Sequence, residues 1–303
     1  MTSQAFPFST DRPLILGTRG SELALAQVEL TLAALRTRFP ELPIAVKKIV
    51  TSGDRGAKPE SDKAGLKGLF TKEIETALRT GEIDVAVHSA KDLPGQMESD
   101  LWIAAVLPRA PVNDWLLSKR PEAEIRVVGT SSVRRQRQLA WQFSAWRTVE
   151  WRGNVPTRLR KLLETPAVDA IVLAEAGLQR LGIDPKAHGL SVSVLPTLPA
   201  VGQGTVALQT RSDEAAAREI LAAINHEDTF IGLKAERALL RRLDGDCHLP
   251  AAAQASFSNG VLALKALLFL DHEPEPVQGF AQGAADDAEE IAESVFRQLT
   301  RTA

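Results

Sequence analysis

Apolar positions along the chain alternate between short runs and helical stripes. Leu14-Ile15-Leu16 predicts a strand that runs into Gly17-Thr18-Arg19-Gly20-Ser21. A helical pattern then continues to about Phe39, with Ser21 as its N-cap. The β-branched run from Ile44 to Val50 predicts the next strand. Residues 52–68 are rich in Gly, Lys and Asp, which predicts a mobile loop. Phe70, Ile74, Ala77 and Leu78 then mark an amphipathic helix, stopped by Gly81. The run from Ile83 to His88 is a further strand, leading into Ser89-Ala90-Lys91-Asp92 and a stop at Pro94.

A second stretch repeats this grammar. Arg126-Val127-Val128 runs into Gly129-Thr130-Ser131-Ser132 and a helix to about Phe143. The run from Val168 to Ala174 resembles the strand at Ile83–Ser89, and the two matches suggest a duplication. Strand–helix alternation of this kind predicts two α/β halves, each a mainly parallel sheet with helices on both faces. Ligands of such sheets bind beyond the carboxyl ends of the strands, so two facing halves would make a cleft there. The segment Leu198-Pro199-Ala200-Val201-Gly202-Gln203-Gly204 reads as a hinge or crossing. Helices at about 213–224 and 228–243 follow. Strands near 251–257 and 261–270 are joined by Ser258-Asn259-Gly260, a hairpin signal, and a helix from about Asp286 to Leu299 closes a small α+β tail.

Composition narrows the class. With 303 residues, 44% hydrophobic and 24% charged, the chain is long enough for two or three packed domains. Its net charge of -2 argues against a generally basic nucleic-acid binder. The single cysteine, Cys247, allows no intrachain disulfide and fits a reducing compartment. The first residues show no signal-peptide pattern, and no apolar run approaches the ~20 residues of a membrane span. The five histidines fall at no familiar zinc spacing, so no metal site is expected.

The candidate chemistry is anionic. Residues 126–160 hold eight arginines (Arg126, Arg134, Arg135, Arg137, Arg147, Arg152, Arg158, Arg160), one acid, Glu150, and no lysine. An all-arginine set favours two-point contact with carboxylate or phosphate, here near helix starts whose free N–H groups also attract anions. A basic surface patch is the plainer reading. RNA binding is a rival, because Trp141, Trp146 and Trp151 interleave with the arginines. Asp92, just past a strand end, is a solvated turn residue or a carboxylate at a cleft mouth suited to proton transfer or cation stabilisation. Cys247 lies in a Gly- and Pro-bounded loop beside His248; neighbouring side chains in such a loop point apart, which disfavours a Cys–His dyad.

Seven segments together resemble the hydroxymethylbilane synthase (porphobilinogen deaminase) family. They are Gly17-Thr18-Arg19-Gly20-Ser21 with Leu23–Gln27, Lys67-Gly68-Leu69-Phe70-Thr71-Lys72-Glu73, and Val87-His88-Ser89-Ala90-Lys91-Asp92-Leu93-Pro94. They continue with Gly129–Gln136, Arg152-Gly153-Asn154-Val155 with Thr157-Arg158-Leu159, Leu198–Gly204, and Glu236-Arg237 followed by Gly245-Asp246-Cys247. All stand in family order between residue 14 and about 250. Glu22 stands where proline is common, Asp246 where a small residue is usual, and Asn113 where arginine is frequent before the aspartate, here Asp114.

The resemblance implies two periplasmic-binding-protein-like α/β domains flanking a cleft, plus a small α+β C-terminal domain carrying the cysteine. The expected bounds are 1–107 with 203–224, 112–198, and 226–303. It implies a transferase of tetrapyrrole and heme biosynthesis that deaminates four porphobilinogens and joins them head to tail. They would be added to a dipyrromethane cofactor, itself two porphobilinogen units held by a thioether to Cys247, before water releases hydroxymethylbilane. Asp92 matches the catalytic aspartate. Cys247, Lys91, Ser89, Thr130, Ser132, Arg134, Arg135, Arg158 and Asn154 are expected to hold the cofactor. Arg19, Ser21, Gln27, Lys63, Lys67, Arg152, Gly153, Arg180 and Gln203 are expected to hold substrate. Asp246 beside Cys247 disfavours thiolate, which would slow cofactor attachment. A cytoplasmic monomer is expected, with no nucleic-acid or membrane partner. The alternative is a two-lobed polycarboxylate-binding protein without catalysis.

Overall fold

The computed structural model describes residues 7–54, 71–243, 250–271 and 273–301. In chain order the elements begin β1 (Leu14–Arg19), α1 (Glu22–Arg38), β2 (Ile44–Ile49), α2 (Lys72–Arg79), β3 (Val85–Ser89), β4 (Leu101–Val106) and β5 (Asp114–Ser118). There follow β6 (Val127–Gly129), α3 (Val133–Gln142), β7 (Arg147–Val149), α4 (Val155–Glu164), β8 (Ala170–Ala174), α5 (Glu175–Arg180) and β9 (Ser191–Val194). The last are β10 (Val206–Arg211), α6 (Ala215–Ala222), α7 (Glu227–Arg242), β11 (Ala251–Ser258), β12 (Val261–Leu268), β13 (Val277–Ala284) and α8 (Ala288–Thr300). Contacts group the chain into two compact units, Met1–Arg109 with Thr205–Phe230, and Ala110–Gly204 with Ile231–Ala303.

The first unit is built on a five-stranded sheet of order β2-β1-β3-β10-β4. Strand β1 runs parallel to β2 and β3, while β10 inserts antiparallel between β3 and β4. Helix α1 forms where the sequence places it. Ser21 Oγ accepts the Ala24 N–H at 3.3 Å, Glu22 lies in the first turn, and Arg36 and Arg38 lie in the last, so both ends suit the helix dipole. Its Val28, Leu32 and Leu35 bury against Leu14, Leu16 and Val85 of the sheet.

The second unit holds two sheets. One has the order β7-β6-β8-β5-β9, again with parallel pairs around β6 and an antiparallel strand, β5, next to β8. The other is the antiparallel meander β11-β12-β13. Its first turn has Asn259 at φ 53° and Gly260 at φ 77°, as a two-residue turn with both central residues left-handed requires. Ile291 and Val295 of α8 pack with Leu262 and Leu264 of β12. Glu236 of α7, fully buried, accepts the N–H of Gly202 at 2.6 Å and of Ala255 at 2.7 Å, tying the 199–204 segment to β11.

The two five-stranded sheets share details as well as order. Asp84, just before β3, accepts the Ile15 N–H on its side chain at 2.9 Å and donates its own N–H to the Ile15 carbonyl at 2.9 Å. Asp169, just before β8, makes the same pair of bonds with Val127, both at 2.9 Å. Each aspartate also meets an arginine from the inserted strand or its end: Arg211 at 3.7 Å from Asp84, and Arg120 at 3.1 Å from Asp169. Both aspartates thus fix where two parallel strands start, which is the duplication that the strand motifs suggest. The expectation of a mainly parallel sheet needs one correction. Each sheet carries an antiparallel strand whose partners are distant in sequence, and so it has no local pattern to mark it. Among the described residues, no helix is long and apolar enough to cross a membrane.

Candidate active site

In the first unit, β1 and β3 end side by side in the sheet, and Asp92 gathers there with Arg19, Ser21 and Gln27 of the expected substrate set. A cavity is lined by Arg19, Ser21, Gln27, His88, Ser89 and Asp92, together with Leu23, Ala24, Thr71 and Val87. Asp92 ends a single 3-10 turn, Ala90–Asp92, that follows β3 directly. The turn is anchored by the Ala90 N–H on the Thr205 carbonyl at 3.0 Å. Lys91 is half-buried in the same turn. Gln27 is buried and its Nε2 lies 2.8 Å from Ser89 Oγ. Arg19 is fixed by Asp54, which it meets at 2.6 Å, and Asp54 in turn accepts from the Thr51 hydroxyl at 2.7 Å. Burial works against the charge of Asp54, but the bonds from Arg19 and Thr51 outweigh it and hold its carboxyl below the usual range.

His88 forms part of the cavity wall and is buried. Its Nε2 lies 3.0 Å from Gln209 Oε1, and Gln209 Nε2 donates to Glu75 Oε1 at 3.3 Å. Burial pushes the imidazole down to about 4; the Gln209 bond opposes the shift and the Arg19 charge adds to it. Burial likewise pushes Glu75 up.

In the second unit, the arginines divide into two kinds. Arg134 and Arg135, in the first turn of α3, are each 6% exposed and converge on Asp114 at the start of β5. Arg134 donates to Asp114 Oδ2 at 2.8 Å and to the Leu198 carbonyl at 2.5 Å. Arg135 donates to Asp114 Oδ1 at 2.7 Å and to the Val172 carbonyl at 2.9 Å. Gln203 completes the ring, donating to Asp114 Oδ1 at 2.9 Å and to the Val112 carbonyl at 2.6 Å. Burial alone would raise the Asp114 pKa, but the two guanidinium groups hold it far below the carboxylate range. Among the described residues, neither arginine finds a partner for its buried Nε.

The other expected residues of this unit differ in burial. Thr130 is buried, and its Oγ1 accepts the Ser132 N–H at 3.3 Å. Ser132 sits at the N-cap of α3 without capping through its side chain. Asn154 caps α4 by accepting the Thr157 N–H at 2.9 Å, and Gly153 before it has φ 126°. Arg158 donates to the Gly153 carbonyl at 2.6 Å, and exposed Arg152 pairs with Glu150 at 2.5 Å. Arg180 donates to the Gly204 carbonyl at 2.6 Å, and burial lowers its pKa. Lys63, Lys67, Cys247 and its neighbours Asp246 and His248 lie outside the described residues, as does most of the loop expected at 52–68.

Three features of this geometry bear on the expected residues. Arg134 and Arg135 do not present open forks, because their terminal nitrogens already serve Asp114 and main-chain carbonyls. Gln203 is buried against that carboxylate. The tryptophans pack rather than offer stacking platforms: Trp146 stacks on Phe143 at 4.0 Å, Trp141 meets Phe269 edge-on at 6.3 Å, and Trp151 donates to the Arg158 carbonyl at 3.1 Å. Sequence reasoning noted Asp114 without giving it a role, and missed Asp54 and the Glu75–Gln209–His88 chain. Only Asp114 carried a signal, as a lone acid in an apolar strand start. Among the described residues, no group of three or more His, Cys, Asp or Glu is placed to hold a metal.

Comparison with known proteins bears on both units. Residues 14–219 match the family model described as porphobilinogen deaminase, dipyromethane cofactor binding domain, and residues 230–301 match the porphobilinogen deaminase C-terminal domain. The porphobilinogen deaminase of Syntrophomonas wolfei is 42% identical over 299 residues, covering 95% of each chain. That of Desulforudis audaxviator is 43% identical over 294 residues, covering 95% of this chain and 94% of the relative. That of Chromobacterium violaceum is 38% identical over 291 residues, covering 94% of each.

Two predictions follow from the buried groups. Asp114→Asn leaves two buried guanidinium groups without a counter-charge and should destabilise the protein by about 3–5 kcal/mol in chemical denaturation; an unchanged midpoint would show that the ion pair does not hold this region. His88 gives a pH dependence. Folding keeps its imidazole neutral, so between about pH 6.5 and 4 the unfolded chain takes up the extra proton and is favoured. Stability is full above about pH 6.5, and about 3 kcal/mol is lost by pH 4. Denaturant midpoints across that range should show this component in the wild type and not in His88→Gln. Identical pH dependence in the two would contradict it.

Proposed function

The chain belongs to the porphobilinogen deaminase family, and from that premise we propose which residues carry the reaction. The protein is a transferase of tetrapyrrole biosynthesis. It deaminates porphobilinogen, joins four of them head to tail on a dipyrromethane cofactor, and releases hydroxymethylbilane by hydrolysis.

The observation that carries our assignment is the position of Asp92. It ends the turn after β3, in a cavity whose wall includes Arg19, Gln27, His88 and Ser89. Loss of ammonia from porphobilinogen leaves a cationic azafulvene, and the pyrrole N–H becomes acidic as each new carbon–carbon bond forms. An ionised Asp92 holds that N–H, stabilises the cation and moves the proton. Arg19, Ser21, Gln27, Arg152, Gly153, Arg180 and Gln203 are the substrate set of this proposal, with Lys63 and Lys67. Of these, Gln203 acts through Asp114 rather than by contact.

The dipyrromethane group carries carboxylate side chains, and the second unit fits them. Arg134 and Arg135 each hold a buried Nε–H that no atom of the described residues accepts, a donor that an anion would satisfy. Ser89, Lys91, Thr130, Ser132, Asn154 and Arg158 are the other residues proposed to hold it, with Cys247 as the point of attachment. When bound, the cofactor supplies the pyrrole carbon on which the chain grows. Asp114 and the main-chain carbonyls hold both guanidinium groups in place, so their remaining donors are ordered before an anion binds. The proposal further holds the enzyme to be a cytoplasmic monomer without a nucleic-acid partner; a net charge of -2 gives no general attraction to polyanions.

Asp92→Asn keeps the size of the side chain and removes its charge, while Asp92→Glu keeps the charge and moves it by one methylene. Single-turnover ammonia release from cofactor-loaded protein should fall by about 10²-fold or more in Asn, with Glu retaining part of the rate and both proteins folded. Wild-type ammonia release by Asp92→Asn would reduce Asp92 to a turn residue.

A further inference from the structure

The cavity that holds Asp92 contains a second acceptor whose protonation state is set from behind. His88 lies on β3, Gln209 on β10 and Glu75 on α2, and the three side chains form one buried chain. The direction of this chain is fixed by its last member. Glu75 accepts from Gln209 Nε2, so the Gln209 amide turns its carbonyl oxygen toward the imidazole. A carbonyl oxygen only accepts, so His88 Nε2 must carry the hydrogen. The neutral ring then has its lone pair on Nδ1. No described residue is recorded bonding Nδ1, and His88 is one of the residues that line the cavity.

We propose that His88 Nδ1 is a neutral hydrogen-bond acceptor for an N–H of the pyrrolic substrate, in the same cavity as the Asp92 carboxylate. This rests on the reading of Asp92 as the catalytic carboxylate and adds a second contact to it. The charged groups around His88 agree with a neutral ring. Arg19 at the end of β1 disfavours a second cation, Glu75 is reached only through the Gln209 amide, and Asp92 lies past the end of β3. An imidazolium here would stand beside the cation that forms on loss of ammonia, whereas a neutral acceptor leaves that charge to Asp92 alone. Porphobilinogen offers a pyrrole N–H and an ammonium group, so a carboxylate and a neutral acceptor in one cavity can each take a donor. Gln209 and Glu75 are positioning residues: they act through His88.

The test reads His88 directly. Cofactor-loaded Asp92→Asn protein, labelled with ¹⁵N-histidine, is examined by long-range ¹H–¹⁵N correlation near pH 7, with and without saturating porphobilinogen. His88 is assigned by comparison with His88→Gln. The expected result is a protonated Nε2 and a bare Nδ1, whose ¹⁵N shift moves upfield when porphobilinogen binds. A protonated Nδ1 in the free protein, or an Nδ1 shift that stays in place at saturation, would overturn the inference. Neither result touches the Asp92 assignment, which is decided by ammonia release. A second variant guards the positioning role. Gln209→Leu, which removes the carbonyl acceptor, should populate both tautomers and raise KM several-fold with kcat nearly unchanged; a single unchanged tautomer would contradict the role of Gln209.

Discussion

The carboxylate of Asp114 is removed from water together with the two guanidinium groups that neutralise it, and much of the second unit is arranged around that fact. A buried ion pair is stable only when its remaining donors and acceptors are met. Here they are met from several directions: Arg134 reaches the Leu198 carbonyl, Arg135 the Val172 carbonyl of β8, and Gln203 the Val112 carbonyl. The start of α3, strand β8, the start of β5 and the 198–204 segment are therefore held to one centre. Among the described residues, the same constraint leaves one Nε–H on each arginine buried and unpaired. Two fixed, unmet donors are a cost in the free protein and an advantage once a carboxylated group binds.

The two five-stranded sheets follow one plan. The Asp84–Ile15 and Asp169–Val127 pairs lie at equivalent points of sheets with the same strand order. Register then places Ser89 of β3 opposite Val206 in the first sheet, and Ala174 of β8 opposite Asp114 in the second. Beyond that point the first half continues into Lys91 and Asp92, while the second continues into Ala176 and Gly177. Asp92, the proposed reactive carboxylate, lies in one half, and the buried Asp114 with its arginines lies in the other.

What the sequence made legible was local. Ser21 as a cap, the Asn259–Gly260 turn and Asp92 just past β3 follow from patterns a few residues long, and the structure has each of them. The antiparallel strands β5 and β10 were not legible, because nothing within Asp114–Ser118 or Val206–Arg211 says which distant strand each will pair with. The same limit hid the site's second layer. His88 and Gln209 are 121 positions apart, and Asp114 and Gln203 are 89 apart. The arginine cluster was visible as a composition, but its division into buried, internally bonded Arg134 and Arg135 and more exposed Arg152 and Arg158 depends on that long-range packing. Cys247 was legible as the one thiol in the chain and through the Gly245-Asp246-Cys247 motif.

The central claim is that this protein builds its product on a covalent dipyrromethane group, and mass measures that without intermediaries. Intact-mass analysis of the purified protein, before and after brief incubation with limiting porphobilinogen, should first show the sequence mass plus one dipyrromethane. A ladder of further pyrrole additions, ending at four, should then appear. Cys247→Ser should show neither. Active wild-type protein at the bare sequence mass, with no ladder at any substrate level, would contradict the account.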